Sequence, residues 1–323
     1  MLYNPDMAGA RKPVARKLKS REAGSKPSSS ASRTNAKASA PRAELLRTKT
    51  LAAQQWLVHG FSTRHGGVST AYGAATLNLG FTEPDSRANV EENQRRFVAQ
   101  LAPGPQRKLA LVTLRQVHSD RIHHIARLSR ESPTGDGMLT NLPGAVLVIQ
   151  TADCLPVLLA DPIHKAVGAF HAGWRGTLAR IVQKGVGEMQ RCFGSAPADL
   201  IAAIGPGIHA CCYSVGEEVR EKFEAQFSYA AELFHEVADS NPVHQKYPLL
   251  FLTARAPGHS NLGPELHLDL VEANRHQLAD AGVPLQNIEA SPLCTACRTD
   301  LLFSYRAEHG KTGRMLAAIG IQS

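Results

Sequence analysis

Three side chains with the chemistry of metal ligands stand at the ends of apolar segments. Cys154 interrupts VLVIQTADCLPVLLAD (146–161), His118 lies in LRQVHSD (114–120) and His171 in AFHAGWRG (169–176). The segments leading into them, 111–117, 145–151 and 165–170, read as short strands, which places two imidazoles and a thiol at comparable ends of neighbouring strands. A polar group left unpaired between buried strands costs about 1–3 kcal/mol, and a charge costs more, so the pair Asp153 and Cys154 needs partners. Two His and one Cys make a three-ligand site for a borderline-soft metal with a fourth position open to water. Zinc is the natural occupant, and copper competes because thiolate and imidazole suit both. A water on such a metal has its pKa drawn toward about 7 and becomes a usable nucleophile. The rival reading of the same residues is a core thiol and two capping histidines, and spacing alone does not separate the two.

The surroundings favour chemistry. In AFHAGWRG, glycines flank Trp174 and Arg175 just before a predicted helix, so backbone N–H groups and a guanidinium face the same place and suit an anion. STRHGGVS (62–69) has the same character, with Arg64 and His65 ahead of a glycine pair that lets the backbone approach a ligand. Arg64 and Arg175 are therefore the candidate phosphate-binding residues. IGPGIHACCYSVG (204–216) is a third Gly-rich turn, whose Cys211 and Cys212 are expected to be packing thiols. Cys294 and Cys297 form one CxxC without a partner pair, which argues against a structural zinc finger; packing is expected there too. Asp153 is read either as orienting a ligand or a neighbouring group or as capping a turn, and it joins the candidate substrate-site residues.

The elements that must hold these residues form a mixed α/β pattern. Strands are predicted over 56–63, 111–117, 121–126, 145–151, 156–160, 165–171 and 200–204, and near 302–305 and 315–320. The clearest helix runs over 176–193, with Leu178, Ile181, Val182, Val186, Met189 and Phe193 on one apolar face. Others fit 87–101, 216–226 and 270–281. The short spacing between 145 and 171 demands antiparallel pairing within a layered α/β domain. Neither a GxGxxG turn nor a P-loop occurs in the sequence.

Composition divides the 323 residues into a body and an appendage. Residues 1–50 hold twelve Lys and Arg against three Asp and Glu, leaving 24 basic and 25 acidic residues in the remainder, so the formal net charge of +8 belongs to the N-terminal segment. Residues 1–47, rich in Lys, Arg, Ser and Ala, cannot bury enough surface to offset the entropy of ordering and are expected to be a disordered basic tail. A solvated extension, an upstream start with Met7 as the true one, and a transit peptide are its readings. The near-neutral body speaks against nucleic-acid binding by the folded domain. With no run of 18 apolar residues and six scattered cysteines, membrane spanning and secretion are excluded as expectations, and a reducing, cytoplasmic setting is the reading.

In order along the chain, STRHGGVS, LNLG, QVHSD, TADCLPVLLAD, HAGWRG, IGPGIHACCYSVG, the helix from HLDL to AGV, and CTACRTDLLFSYRAEHGKTGRM resemble the YfiH (FAMIN) family, also called the multicopper polyphenol oxidoreductase or laccase-like domain family. The resemblance spans about 56–321. It implies a single α/β domain at 48–323 with mixed sheets like the cysteine hydrolase domain of cytotoxic necrotising factor toxins, and a zinc site at His118, Cys154 and His171. Implied activities are phosphorolysis of adenosine, inosine, guanosine and 5′-methylthioadenosine, and deamination of adenosine, with purine nucleosides and phosphate as partners. An amide hydrolase that edits peptidoglycan precursors, and a copper-dependent phenol oxidase, are the alternatives; the lack of HxH pairs and clustered histidines ranks the oxidase last. Two positions depart from the family pattern, Ser214 where an acid is common and Ala307 where an Arg is common, and GDGMLT (135–140) keeps Asp136 where ADALVT is usual.

Overall fold

Alternation within β-strands sets the layers of this chain. The computed structural model describes residues 42–103, 109–129, 131–238, 246 and 264–322. Strands in the first part are β1 (Leu45–Leu46), β2 (Leu57–Ser62), β3 (His65–Ser69), β4 (Ala110–Val112), β5 (Ile122–His124), β6 (Gly137–Thr140) and β7 (Ala145–Thr151). They continue with β8 (Leu155–Asp161), β9 (Ala166–Ala172), β10 (Ile201–Ile204), β11 (Phe234–Val237), β12 (Glu265–Leu268), β13 (Ile288–Ala290) and β14 (Met315–Ile321). Helices are α1 (Lys49–Ala52), α2 (Arg87–Leu101), α3 (Trp174–Leu178), α4 (Ile181–Phe193), α5 (Glu217–Glu224), α6 (Ala230–Leu233) and α7 (Leu270–Asp280).

One sheet has the order β1-β2-β14-β7-β4 and the other β13-β10-β8-β9-β6-β5, with β11 and β12 as a separate pair. Pairing is mixed: β4 with β7, β5 with β6 and β10 with β13 are parallel, and the remaining ladders antiparallel. In β7, Leu147 and Ile149 face the second sheet and pack with Leu158, Val167 and Ala169, while Val146 and Val148 face the layer that holds Phe97 and Leu101 of α2. On the far side of the second sheet, Phe170 and Leu155 pack with Ile181, Val182 and Val186 of α4 and with Leu270, Ala273 and Leu278 of α7. The result is helix, sheet, sheet, helix, and the strands read as continuous apolar runs because both faces are covered.

The stretch TADC marks a change of sheet. β7 belongs to the first sheet and β8 to the second, so Ala152, Asp153 and Cys154 carry the chain from one layer to the other, and Asp153 adopts φ 108° to make the turn. That is why polar residues sit between two buried strands.

Four sequence expectations change. The strand expected over 111–117 stops at Val112, because the Gln116 side chain takes over the ladder: its Oε1 accepts from Gln150 N at 2.8 Å and its Nε2 donates to Gln150 O at 2.9 Å. The helix expected over 176–193 breaks at Arg180 (φ 61°), where the Gln277 side chain bonds the Thr177 carbonyl at 2.7 Å. The segment 302–305 is turn rather than strand; Arg64 bonds the carbonyls of Thr299 and Leu302, and Glu308 accepts from Ser304 N. Most of the expected tail, 1–41, lies outside the described residues. Its last residues are built into the sheet, with Leu45 and Leu46 pairing Ser62 and Phe61 and Arg47 bonding His59 O at 2.7 Å.

Candidate metal centre and active site

His171 occupies the strand phase of Val167 and Ala169, which points its ring into the layer between the sheets at the end of β9. Cys154 closes the inter-sheet turn at the start of β8. His118 lies in the loop after β4, in left-handed backbone (φ 60°). One ligand atom from each of these three residues lies within 4.8 Å of the others. Cys154 Sγ is 3.8 Å from His118 Nε2, and the two imidazoles meet edge to face with centroids 4.8 Å apart.

The residue that organises this arrangement is Asp136, fully buried at the start of β6. One of its oxygens accepts from His171 Nδ1 at 2.9 Å and His118 N at 3.0 Å; the other accepts from Ser119 N and Ser119 Oγ, both at 2.7 Å. Val117 N adds two longer bonds of 3.2 Å. The carboxylate thus gathers three successive N–H groups of the 117–119 turn, and in doing so it holds His118 in its strained conformation. By occupying His171 Nδ1 it leaves Nε2 for the site, the arrangement that orients a metal-ligating imidazole. Burial would raise the pKa of Asp136, but the hydrogen bonds from His171 and Ser119 outweigh it and hold the carboxyl well below the usual range.

The same balance sets the thiol. Burial pushes Cys154 up, yet the His171 charge and hydrogen bonds from His118 and His171 bring it down to about 6. His171 is pushed down by burial, then carried up to about 9 by the Cys154 thiolate and Asp136. Thiolate, two imidazoles and an acidic partner behind one of them are a donor set that a metal fits. Gly173 is part of that fit, since a Cβ there would lie 2.8 Å from Cys154 Sγ and 3.3 Å from the His118 ring.

The three residues border a pocket of about 740 Å³, whose wall includes Arg115, Gln116, Gln150, Tyr213, Arg306 and Arg314. Arg306 is steadied by Nη1 bonds to Ser214 O (3.0 Å) and Oγ (2.9 Å) and lies over the Tyr213 ring. Ser214, where relatives of the sequence pattern carry an acid, therefore still anchors the arginine. Burial, and next the nearby Cys154 charge, push the Tyr213 phenol up and keep it protonated.

Of the residues singled out from sequence, His118, Cys154 and His171 come together. Asp153 borders the pocket, but its oxygens are committed to Thr295 Oγ1 and Arg306 N, each at 2.7 Å, so it orients the wall rather than offering a ligand atom. Arg64 lies outside the pocket lining: it pairs with Glu308 at 3.2 Å, bonds Tyr72 O and Thr299 O, and stacks on Phe303. Arg175 is exposed and lies over Trp174, also away from the lining. The sequence named Asp136 only as a motif position, and Tyr213, Arg115, Arg306 and Arg314 were not among its candidate site residues. A lone acid opening the apolar run GMLT was the available signal for Asp136. The cysteines read as separate packing thiols, Cys211, Cys212, Cys294 and Cys297, meet in a second cluster.

The chain resembles known proteins in sequence and in fold. A relative from Deinococcus radiodurans named purine nucleoside phosphorylase is 38% identical over 87% of this chain and 94% of its own. The purine nucleoside phosphorylase YlmD of Geobacillus stearothermophilus is 35% identical over 81% and 89%. The crystal structure of that YlmD superposes with TM-score 0.69 and 33% identity over 86% of this chain and 96% of its own, and a Bacillus licheniformis YfiH structure gives 0.69 at 32% over 88% and 98%. The family model described as multi-copper polyphenol oxidoreductase laccase matches residues 58–322, and the chain belongs to this laccase-like YfiH family.

Proposed function

We propose that this chain is a zinc-dependent purine nucleoside phosphorylase that takes adenosine, inosine, guanosine or 5′-methylthioadenosine with phosphate, and that it also deaminates adenosine in the same pocket. The observation that carries the reading is the pocket of about 740 Å³ with His118, Cys154 and His171 in one wall and Arg115, Arg306 and Arg314 beside them. The volume lies in the ordinary range for small-molecule sites, roughly 300–1,000 Å³. The activity named for the relatives from Deinococcus and Geobacillus supports it further.

Phosphorolysis breaks the bond from ribose C1′ to purine N9 and makes one from C1′ to a phosphate oxygen, with the base leaving protonated. Phosphate must be held against C1′ by groups that stay charged, which suits guanidinium side chains. Arg306, fixed through Ser214, and Arg314, lying over Tyr305, are placed to do so. The rings of Tyr213 and Tyr305 offer faces on which a purine can lie, and the protonated Tyr213 hydroxyl is a donor for the leaving base. Zinc, held by His118, Cys154 and His171, supplies a Lewis acid at this wall when bound. Asp136 keeps the His171 tautomer that leaves Nε2 free. Deamination consumes one water, whose oxygen bonds to C6 of adenine as the C6–N bond breaks and the amino group leaves as ammonia.

The test is to incubate the purified chain, with metal content measured, with adenosine in the presence and absence of phosphate. Adenine and ribose 1-phosphate that depend on phosphate, together with hypoxanthine, are expected; inactivity on every nucleoside, or full activity of Cys154→Ala, overturns the reading. A second reading has an observation of its own. Without metal, Cys154, His171 and Asp136 line up as nucleophile, base and orienting acid, which suits hydrolysis of an amide such as one in a peptidoglycan precursor. That activity would need no phosphate and would fall when zinc is added.

A further inference from the structure

A second group of metal-ligating side chains lies outside the pocket lining. Cys211 and Cys212 come from the turn after β10, and Cys294 and Cys297 from the turn after β13, more than 80 residues later. All four Sγ atoms lie within 4.8 Å of one another. Cys297 Sγ is 3.4 Å from Cys211 Sγ and 3.3 Å from Cys212 Sγ. A zinc ion bound to four thiolates at about 2.3 Å sets sulfur–sulfur edges of about 3.8 Å, a length between the two short separations and the 4.8 Å bound on the whole cluster.

The backbone around the cluster is arranged for thiolate. His209 N–H points at Cys294 Sγ at 3.5 Å, and the N–H groups of Cys297 and Ala296, folded back by the CTAC turn, face the same sulfur. Donors converging on the first cysteine of a CxxC turn stabilise a negative sulfur. A disulfide is a poorer use of this geometry. Cys297 is equally close to two partners at distances well beyond the S–S bond of about 2.05 Å, and pairing with either would leave two thiols over.

We propose that Cys211, Cys212, Cys294 and Cys297 are the four ligands of a structural zinc ion, distinct from the one assigned to His118, Cys154 and His171. On binding, the thiols give up their protons and all four coordination positions are filled by protein, so the site has no place for substrate. Its role is to fasten the turn 205–214, which carries Ile208 and Tyr213 of the pocket wall, to the turn 291–298, whose Thr295 bonds Asp153 next to Cys154. Thr295 N already bonds Gly207 O at 2.9 Å across the same junction.

The experiment uses full-length Cys154→Ala protein made in zinc-supplemented culture under reducing conditions, so that the pocket site is disabled and any remaining metal reports on the cysteine cluster. One zinc per chain with a four-sulfur shell in X-ray absorption is expected, and of the five remaining thiols only Cys192 should react with a thiol reagent before chelation. Cobalt exchanged into the wild-type protein should give the intense absorption of a tetrathiolate, lost in Cys211→Ser/Cys297→Ser, while the weaker spectrum of the pocket site persists. No bound zinc, a shell with nitrogen or oxygen, an iron tetrathiolate seen as colour, or a mapped disulfide among the four cysteines overturns the proposal. Inactivity of the wild-type protein on every nucleoside, with the four-sulfur zinc intact, would count against the proposed function alone.

Discussion

The chain carries two cysteine-bearing clusters of opposite design. At the pocket, one thiol stands among two imidazoles and an indirect carboxylate, and the unlike charges bring Cys154 down to about 6. In the other cluster, four thiols stand among themselves; burial and the Cys297 and Cys294 thiols beside it push Cys211 up to about 12, while N–H donors draw Cys294 down against its own burial. The first set has three protein ligands and opens on a 740 Å³ pocket. The second has four and closes on itself. Ligand number and neighbour charge, rather than the presence of cysteine, separate a site that can act on a substrate from one that can only hold the fold together.

The comparison breaks most visibly at Cys154. Replacing it with alanine should lower phosphorolysis about a thousandfold, near 4 kcal/mol of transition-state stabilisation, and remove one metal equivalent per chain. Cys211→Ser/Cys297→Ser should instead lower the melting temperature while kcat changes little, a split read by calorimetry beside initial rates. The next largest effect belongs to Asp136→Asn. The amide cannot accept all the N–H groups that the carboxylate gathers, and it no longer fixes the His171 tautomer. A loss of about 10- to 100-fold in metal affinity at the pocket, with the tetrathiolate unaffected, is expected from metal titration.

How far these sites were legible in the sequence follows from which interactions carry them. The strand at 145–151 and the helix at 87–101 match the structure residue for residue, since burial on fixed periods writes itself into the composition. His118, Cys154 and His171 were legible as residue types at strand ends, although His118 belongs to a loop that Gln116 and Asp136 hold through side chains. Such side-chain substitutes for backbone pairing leave no periodic trace. The tetrathiolate cluster was illegible for a related reason: it joins an adjacent pair to a distant CxxC, and only the course of β10 and β13 as parallel neighbours brings them together. The arginines show the opposite error. Arg64 beside two glycines looked like an anion ligand, but its guanidinium is spent on carbonyls and Glu308, while Arg306, beside Ala307 where a second Arg is common, reaches the pocket.

That reversal gives a paired test of moderate size. Arg306→Ala should raise KM for phosphate about tenfold, near 1.4 kcal/mol, with the melting temperature close to wild type. Arg64→Ala should leave KM unchanged and destabilise the chain by about 1–3 kcal/mol, because it takes the guanidinium donor from three carbonyls and the ion-pair partner from the partly buried Glu308, which keeps its bond from Ser304 N. Steady-state kinetics and thermal unfolding of the two variants distinguish the roles; equal KM effects would return Arg64 to the site.

The smallest effect is a shift in a titration, and it compares the clusters directly. In protein stripped of metal, Cys154 should be alkylated by iodoacetamide with a rate that rises with pH around a midpoint near 6 and then levels, while Cys211 stays a thiol far into the alkaline range. The linkage to stability follows the same shifts. Cys154 is lowered in the folded chain, so its contribution is complete above the pKa of an ordinary thiol and is lost as pH falls through about 6. His171 is raised, so its contribution is complete below the pKa of an ordinary imidazole and is lost as pH rises through about 9. Both act in the window between, where the pair is thiolate and imidazolium. In His171→Ala the Cys154 midpoint should climb toward that of a free thiol, because burial then acts without the opposing charge, whereas no substitution at the pocket should move the reactivity of Cys211. Mass-spectrometric rates for the two cysteine peptides across pH 5–9 decide it, and a Cys154 midpoint unmoved by His171→Ala would show that the imidazole does not set the thiol.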